Sequence, residues 1–89
     1  MAAYSLLTSK RAEKGLEKIR NKSLLRRIVE KIDELQHDPR PVGVRKLMGS
    51  DRDYRIRIGD YRVVYQIDDR ERTVLICGVG DRKEIYRGL

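Results

Sequence analysis

Apolar residues recur along this chain in two distinct rhythms. From Tyr4 to Thr8 the run Tyr-Ser-Leu-Leu-Thr suits a short strand, and Thr8 or Ser9 can cap a following helix by accepting a hydrogen bond from a free backbone N–H. Ala12, Leu16 and Ile19 then share one helical face, which predicts a first helix over roughly 9–20. The next apolar set, Leu25, Ile28, Val29, Ile32 and Leu35, is out of phase with the first. A phase change at Asn21-Lys22-Ser23, where good N-cap residues stand, predicts a hairpin of two helices, the second running over about 22–36. Pro39 ends it, because the ring cannot continue the backbone hydrogen bonding. Residues 38–53, with Pro39, Pro41, Gly43 and Gly49, read as a connecting loop tethered to the core by Val44 and the Leu47-Met48 pair.

From Tyr54 the period changes to two. Tyr54 to Ile58 and Tyr61 to Tyr65 alternate on either side of Gly59-Asp60, a pair suited to a two-residue hairpin turn. That turn fixes the register: Ile58 opposes Tyr61, Arg57 opposes Arg62, Ile56 opposes Val63, Arg55 opposes Val64, and Tyr54 opposes Tyr65. One face is then apolar and available to the helices, and the other carries Arg55, Arg57 and Arg62. A third run, Thr73 to Val79, is almost wholly apolar and reads as a central strand. The expected class is α+β, with an N-terminal strand and a two-helix hairpin packed on one face of a twisted antiparallel sheet, and 1–89 as one domain.

Charge sharpens this picture. Lys and Arg number 21 against 14 Asp and Glu, for a net charge of +7, the field expected of a protein that approaches phosphates. Most of the excess falls in the helical half, where Lys10, Lys14, Lys18, Arg26 and Arg27 form a basic stripe fit for a solvated face or for RNA phosphates. Cys77 is the lone cysteine and lies in an apolar run, so it reads as a small buried hydrophobe in a reducing, cytoplasmic setting. No run reaches the ~18 apolar residues of a membrane span, and the N-terminus lacks a signal-peptide pattern. With His37 as the only histidine, no transition-metal ligand set and no cofactor are expected.

The arginine face is the feature that asks for chemistry. Like charges opposite one another on paired strands oppose folding, so Arg57 against Arg62 is a cost unless carboxylates from elsewhere soften it or an anion sits between them. The arginine fork holds its proton and matches phosphate oxygens in pairs. It is therefore able to grip a phosphate and to offset charge growing in a pentacovalent transition state.

The order Lys46-Leu47-x-Gly49, Tyr54-Arg55-Ile56-Arg57-Ile58, Gly59-Asp60-Tyr61-Arg62-Val63-Val64-Tyr65, then Gly80-x-Arg82 and Ile85-Tyr86, resembles the RelE toxins of the RelE/ParE superfamily over essentially the whole chain. The resemblance implies a metal-independent endoribonuclease that enters the ribosomal A site, contacts ribosomal RNA, cleaves the exposed mRNA codon and is silenced by a RelB-type antitoxin. Operator DNA would be met only through the antitoxin complex. By motif, the site falls on Arg55, Arg57, Arg62, Arg82 and Tyr86; Arg57, Arg62, Arg82 and Tyr86 are the expected catalytic residues, and Arg55 together with the neighbouring basic residues Arg45, Lys46 and Lys83 the expected RNA-binding ones. Two positions depart from the commoner pattern: arginine replaces lysine at 55 and 57, and Asp81 stands where many relatives have histidine. Because arginine does not give up its proton, the base role shifts to Tyr86, with Glu84 a weaker choice. Tyr86, its ordinary pKa of ~10 lowered by guanidinium groups, would take the proton of the ribose 2′-OH as that oxygen attacks the adjacent phosphate. Two rivals differ in class: a ParE-like gyrase inhibitor, and a non-catalytic RNA-binding module that would display exposed stacking aromatics.

Overall fold

The computed structural model describes residues 3–49 and 52–85. Its elements run β1 (Ser5–Thr8), α1 (Lys10–Glu17), α2 (Lys22–Glu34), β2 (Arg45–Lys46), β3 (Asp53–Ile58), β4 (Tyr61–Asp68) and β5 (Thr73–Asp81). Both helix starts follow from side chains that satisfy free backbone donors: Ser9 Oγ accepts from the Ala12 N–H at 3.1 Å, and Asn21 Oδ1 from the Leu24 N–H at 3.0 Å. The break between the helices falls at the phase change, and the helices end at Glu17 and Glu34, just short of the last apolar positions Ile19 and Leu35. No helix among the described residues is long and apolar enough to cross a membrane.

The strands form one sheet in the order β1-β5-β4-β3-β2. The pairings β2–β3, β3–β4 and β4–β5 are antiparallel, but β1 lies parallel to β5, so the sheet is mixed rather than wholly antiparallel. The long excursion through both helices and three strands supplies the crossover that parallel neighbours need. Strand β5 is interior, hydrogen-bonded on both sides, in keeping with its apolar run. The β3–β4 register is the one dictated by the Gly59-Asp60 turn, residue for residue. Gly59 takes φ +60°, as the first central position of a tight hairpin turn requires.

One irregularity reconciles β5 with the core. Val74, Ile76 and Val79 are all buried in the cluster beneath the helices, yet strict alternation would put Val79 on the face opposite Ile76. A register shift makes this possible: Val64 pairs with Gly78 while Tyr65 pairs with Ile76, leaving Cys77 as the extra residue of a bulge. Cys77 is therefore half-buried rather than fully enclosed, and burial pushes its thiol pKa up. Ser9 Oγ donates to the Cys77 carbonyl at 2.9 Å, tying the start of α1 to this bulge.

The core joins Ala12, Ile19, Ile28, Ile32 and Leu35 of the helical layer to Ile56, Val63, Tyr65 and Ile76 of the sheet. Val29, grouped with this set by spacing, is exposed. The connector departs from expectation in two respects. It contains β2, and of the three expected tethers Val44 and Leu47 are half-buried while Met48 is fully exposed; Pro39, not singled out as a tether, is buried. Its first turn is held instead by polar groups: buried Tyr65 donates through its hydroxyl to the Pro39 carbonyl at 2.7 Å, and Arg40 spans Asp69 with two bonds of 3.1 and 2.8 Å. Tyr4 adds a 2.7 Å hydrogen bond to the same carboxylate, and the Arg40 guanidinium stacks 5.1 Å over the Tyr54 ring.

Candidate functional site

The face of the sheet away from the helices gathers arginines from three strands. Arg57 opposes Arg62 across β3–β4, and Arg45 of β2 opposes Arg55 of β3. Two like-charge cross-strand pairs thus lie side by side, since alternate residues of β3 share a face. All four line a cleft of about 170 Å³ together with Gly43. Strand β2 lies in the segment read from sequence as a loop, and it adds Arg45 to the arginines grouped by the hairpin register.

Arg62 is the most constrained of the four. It is 7% exposed, and its Nη1 donates to the carbonyls of Gly59 and Tyr61, both at 3.1 Å. Its Nε is buried and has no partner among the described residues. A buried N–H left without an acceptor costs about 1–3 kcal/mol, and more on a charged group. The turn therefore holds the guanidinium through Nη1 and leaves Nε without an acceptor among the described residues, so the hydrogen-bonding capacity of this arginine is not met by the fold alone. Among the described residues, neither Arg57 nor Arg62 takes part in an ion pair, so carboxylates do not soften this cross-strand contact. Arg57 is exposed, and Arg55 is half-buried with interactions of its own.

The remaining sequence-predicted residues are placed less uniformly. Arg82 is exposed and does not line the arginine cleft, but its N–H donates to the Asp60 carbonyl at 2.9 Å, which fastens it to the turn that holds Arg62. Lys46 pairs with Tyr54 in the register, and Lys83 is exposed beyond β5; neither lines the cleft. Tyr86 lies outside the described residues. Asp81 serves the backbone: its carboxylate accepts from the N–H groups of Lys83 and Glu84, both at 2.9 Å, and so caps the turn that carries Arg82.

That turn brings Ile85 over Gly78 and Gly80, the residues of β5 that share the arginine face and pair with Val64 and Arg62. Ile85 is 2% exposed and Val64 1%, and the Arg11 guanidinium, which donates to the Ile85 carbonyl at 2.6 Å, also lies against Gly78, so this part of the face is covered by Ile85 and Arg11 while the Arg45–Arg57 side stays open. The signal for this arrangement was the alternation Gly78-Val79-Gly80, which leaves one face of β5 without side chains. Tyr54, Tyr61 and Tyr65 belong to or pack against the core under the helices, so the arginine face displays none of them for base stacking. No group of three or more His, Cys, Asp or Glu with metal-site geometry occurs among the described residues.

Comparison with known proteins agrees with this architecture. A family model described as ParE toxin of type II toxin-antitoxin system, parDE, matches residues 6–86. Toxin RelG of Mycobacterium tuberculosis is 32% identical over 87 residues, covering 94% of this chain and 97% of that protein. Among solved structures, the archaeal RelE–RelB complex from Pyrococcus horikoshii OT3 superposes with a TM-score of 0.79 at 31% identity, covering 92% of this chain and 98% of its counterpart. The isolated E. coli RelE toxin gives a TM-score of 0.76 at 31% identity, over 89% and 84% of the two chains. The chain belongs to the RelE/ParE superfamily of type II toxin-antitoxin toxins and is of the RelE type.

Proposed function

We propose that this toxin is a metal-independent endoribonuclease that cuts messenger RNA in the ribosomal A site and is held inactive by a RelB-type antitoxin. The observation that carries the reading is the pairing of Arg57 with Arg62 and of Arg45 with Arg55 around one cleft, with a buried, partnerless Arg62 Nε among the described residues. Folding keeps these charges together at a cost, and a bound phosphodiester converts that cost into binding and transition-state stabilisation. Solved relatives that are themselves RelE–RelB complexes support the antitoxin partner.

In this mechanism Arg62 and Arg57, which line the cleft from facing strands, hold the scissile phosphate between them. Arg55 and Arg45 hold the neighbouring backbone. Arg82, tied to the Asp60 turn, neutralises the departing 5′ oxygen. Tyr86, the residue after Ile85 in the sequence, takes the 2′-OH proton as the 2′ oxygen bonds to phosphorus and the P–O5′ bond breaks; the departing 5′ oxygen takes a proton from water, giving a 2′,3′-cyclic phosphate and a free 5′-OH.

Induced expression followed by mapping of message 5′ ends, with and without translating ribosomes, tests the reading. Ribosome-dependent cuts inside codons that vanish in Arg62→Ala are expected. Growth arrest with intact messages and inhibited gyrase would overturn it in favour of the ParE-like activity.

A further inference from the structure

Beside the arginine cleft lies a second and larger one that adjoins it. The first is about 170 Å³, below the size of ordinary small-molecule sites and suited to a phosphate group. The second is about 440 Å³, within the range of ligand pockets, and shares Gly43, Arg45 and Arg57 with the first. It exists because β2 is only two residues long: Arg45 and Lys46 pair with Arg55 and Tyr54, and among the described residues the outer edge of β3 from Ile56 to Ile58 has no neighbouring strand. The cleft turns around that open edge toward the end of α2, with Ile56, Pro41 and exposed Val42 as apolar lining and Glu34 as its one carboxylate among the described residues. Lys31, one turn earlier and also in the lining, lies 3.6 Å from one Glu34 carboxylate oxygen, an exposed and therefore weak pair that a better donor can displace.

A chain of nucleotides whose phosphate lies among the arginines must put an adjacent base somewhere, and this is the neighbouring space of the right size. We propose that the second cleft is a nucleobase subsite in which Glu34 selects bases that carry an amino group and disfavours uracil. The inference rests on the phosphate reading of the arginine cleft. A carboxylate only accepts hydrogen bonds. The exocyclic amino groups of adenine, cytosine and guanine donate to it, whereas the single imide N–H of uracil is flanked by two carbonyl oxygens that repel it. Pro41, Val42 and Ile56 supply the apolar contact for the ring.

The test is titration of the full chain with inorganic phosphate and with the four nucleoside 3′-monophosphates, followed by NMR of the arginine side chains, for the native protein and Glu34→Gln. The amide can present either a donor or an acceptor, so it should accept all four bases. Binding of the adenosine, cytidine and guanosine nucleotides roughly tenfold tighter than that of the uridine nucleotide is expected, with the spread collapsing in Glu34→Gln and phosphate affinity unchanged. Four nucleotides that bind alike, or a spread that survives in Glu34→Gln, would overturn the base subsite and leave the phosphate cleft standing. Failure of phosphate and all four nucleotides to perturb Arg57 or Arg62 would overturn both.

Discussion

Gly15 of α1 presses against the backbone carbonyl of Val79, so closely that a β-carbon at this position would overlap the oxygen. Strand β1 pairs only with Thr73 to Ile76, and α1 takes over as the neighbour of β5 beyond that point. Gly15→Ala gains about 1 kcal/mol of helix propensity but must push helix and strand apart, and overpacking of this kind costs about 1–3 kcal/mol or more. The overlap is with backbone, which cannot swing aside. A net loss of about 2 kcal/mol is expected, read as a fall of roughly 8–16 °C in thermal midpoint for a domain of this size. An unchanged midpoint would show that the helix is free to lift.

Arg57→Ala should move stability and activity in opposite directions. Removing one member of the Arg57–Arg62 pair relieves a like-charge contact worth some tenths of a kcal/mol, and no ion pair among the described residues is lost. The urea midpoint should rise slightly at low ionic strength, with the gain fading at ~1 M salt as screening shortens to about 3 Å. Single-turnover cleavage of ribosome-bound message should fall by about a hundredfold or more. A destabilised variant would mean that Arg57 serves the fold.

Arg62→Lys separates charge from geometry. Lysine keeps the positive charge but loses the planar fork, whose Nη1 is anchored to the Gly59 and Tyr61 carbonyls. Cleavage should drop about as far as in Arg62→Ala, with binding of inorganic phosphate retained in part. Full activity in the lysine variant would refute a two-point grip by this residue.

Tyr65→Phe removes the hydroxyl that satisfies the Pro39 carbonyl within a fully buried contact. The orphaned carbonyl should cost about 1–3 kcal/mol, measurable as a lower urea midpoint with unchanged m-value. Because burial raises the phenol pKa above its ordinary value, no additional loss linked to this group is expected between neutral pH and about pH 9.

Acid should loosen the connector before the rest. The Arg40 guanidinium and the Tyr4 hydroxyl hold the Asp69 carboxyl down to about 2. A carboxylate with a depressed folded-state pKa contributes stability that is fully present above its unfolded value of ~4 and disappears as pH falls toward about 2. Asp69→Asn should therefore flatten the dependence of the urea midpoint on pH across that window and leave the slope above about pH 5 alone. An identical slope in both proteins would show that the cluster is lost on the surface to water.

The hairpin register was legible because a two-residue turn and period-two alternation leave no freedom: the positions of Arg55, Arg57 and Arg62 follow from Gly59 alone. The helix break was legible for a similar reason, since the apolar stripe shifts phase at a natural cap. Three features were not. The parallel β1–β5 pairing depends on a contact between distant parts of the chain that local pattern does not encode. Strand β2 is too short to alternate, so Arg45 reaches the cleft through a segment whose prolines and glycines spell loop. The bulge at Cys77 hides inside a continuous apolar run, where either face is chemically acceptable until Val79 must also be buried.

From Ile56 to Ile58 the outer edge of β3 has no strand beside it among the described residues, which bears on how copies of this protein meet. Unpaired strand edges invite intermolecular β-pairing, and natural sheets discourage it with charge. Here the guards are Arg45 and Arg57, side chains also assigned to gripping RNA. Variants that neutralise both should lose their mutual repulsion as well as their catalysis, and their self-association would then masquerade as misfolding unless concentration is varied.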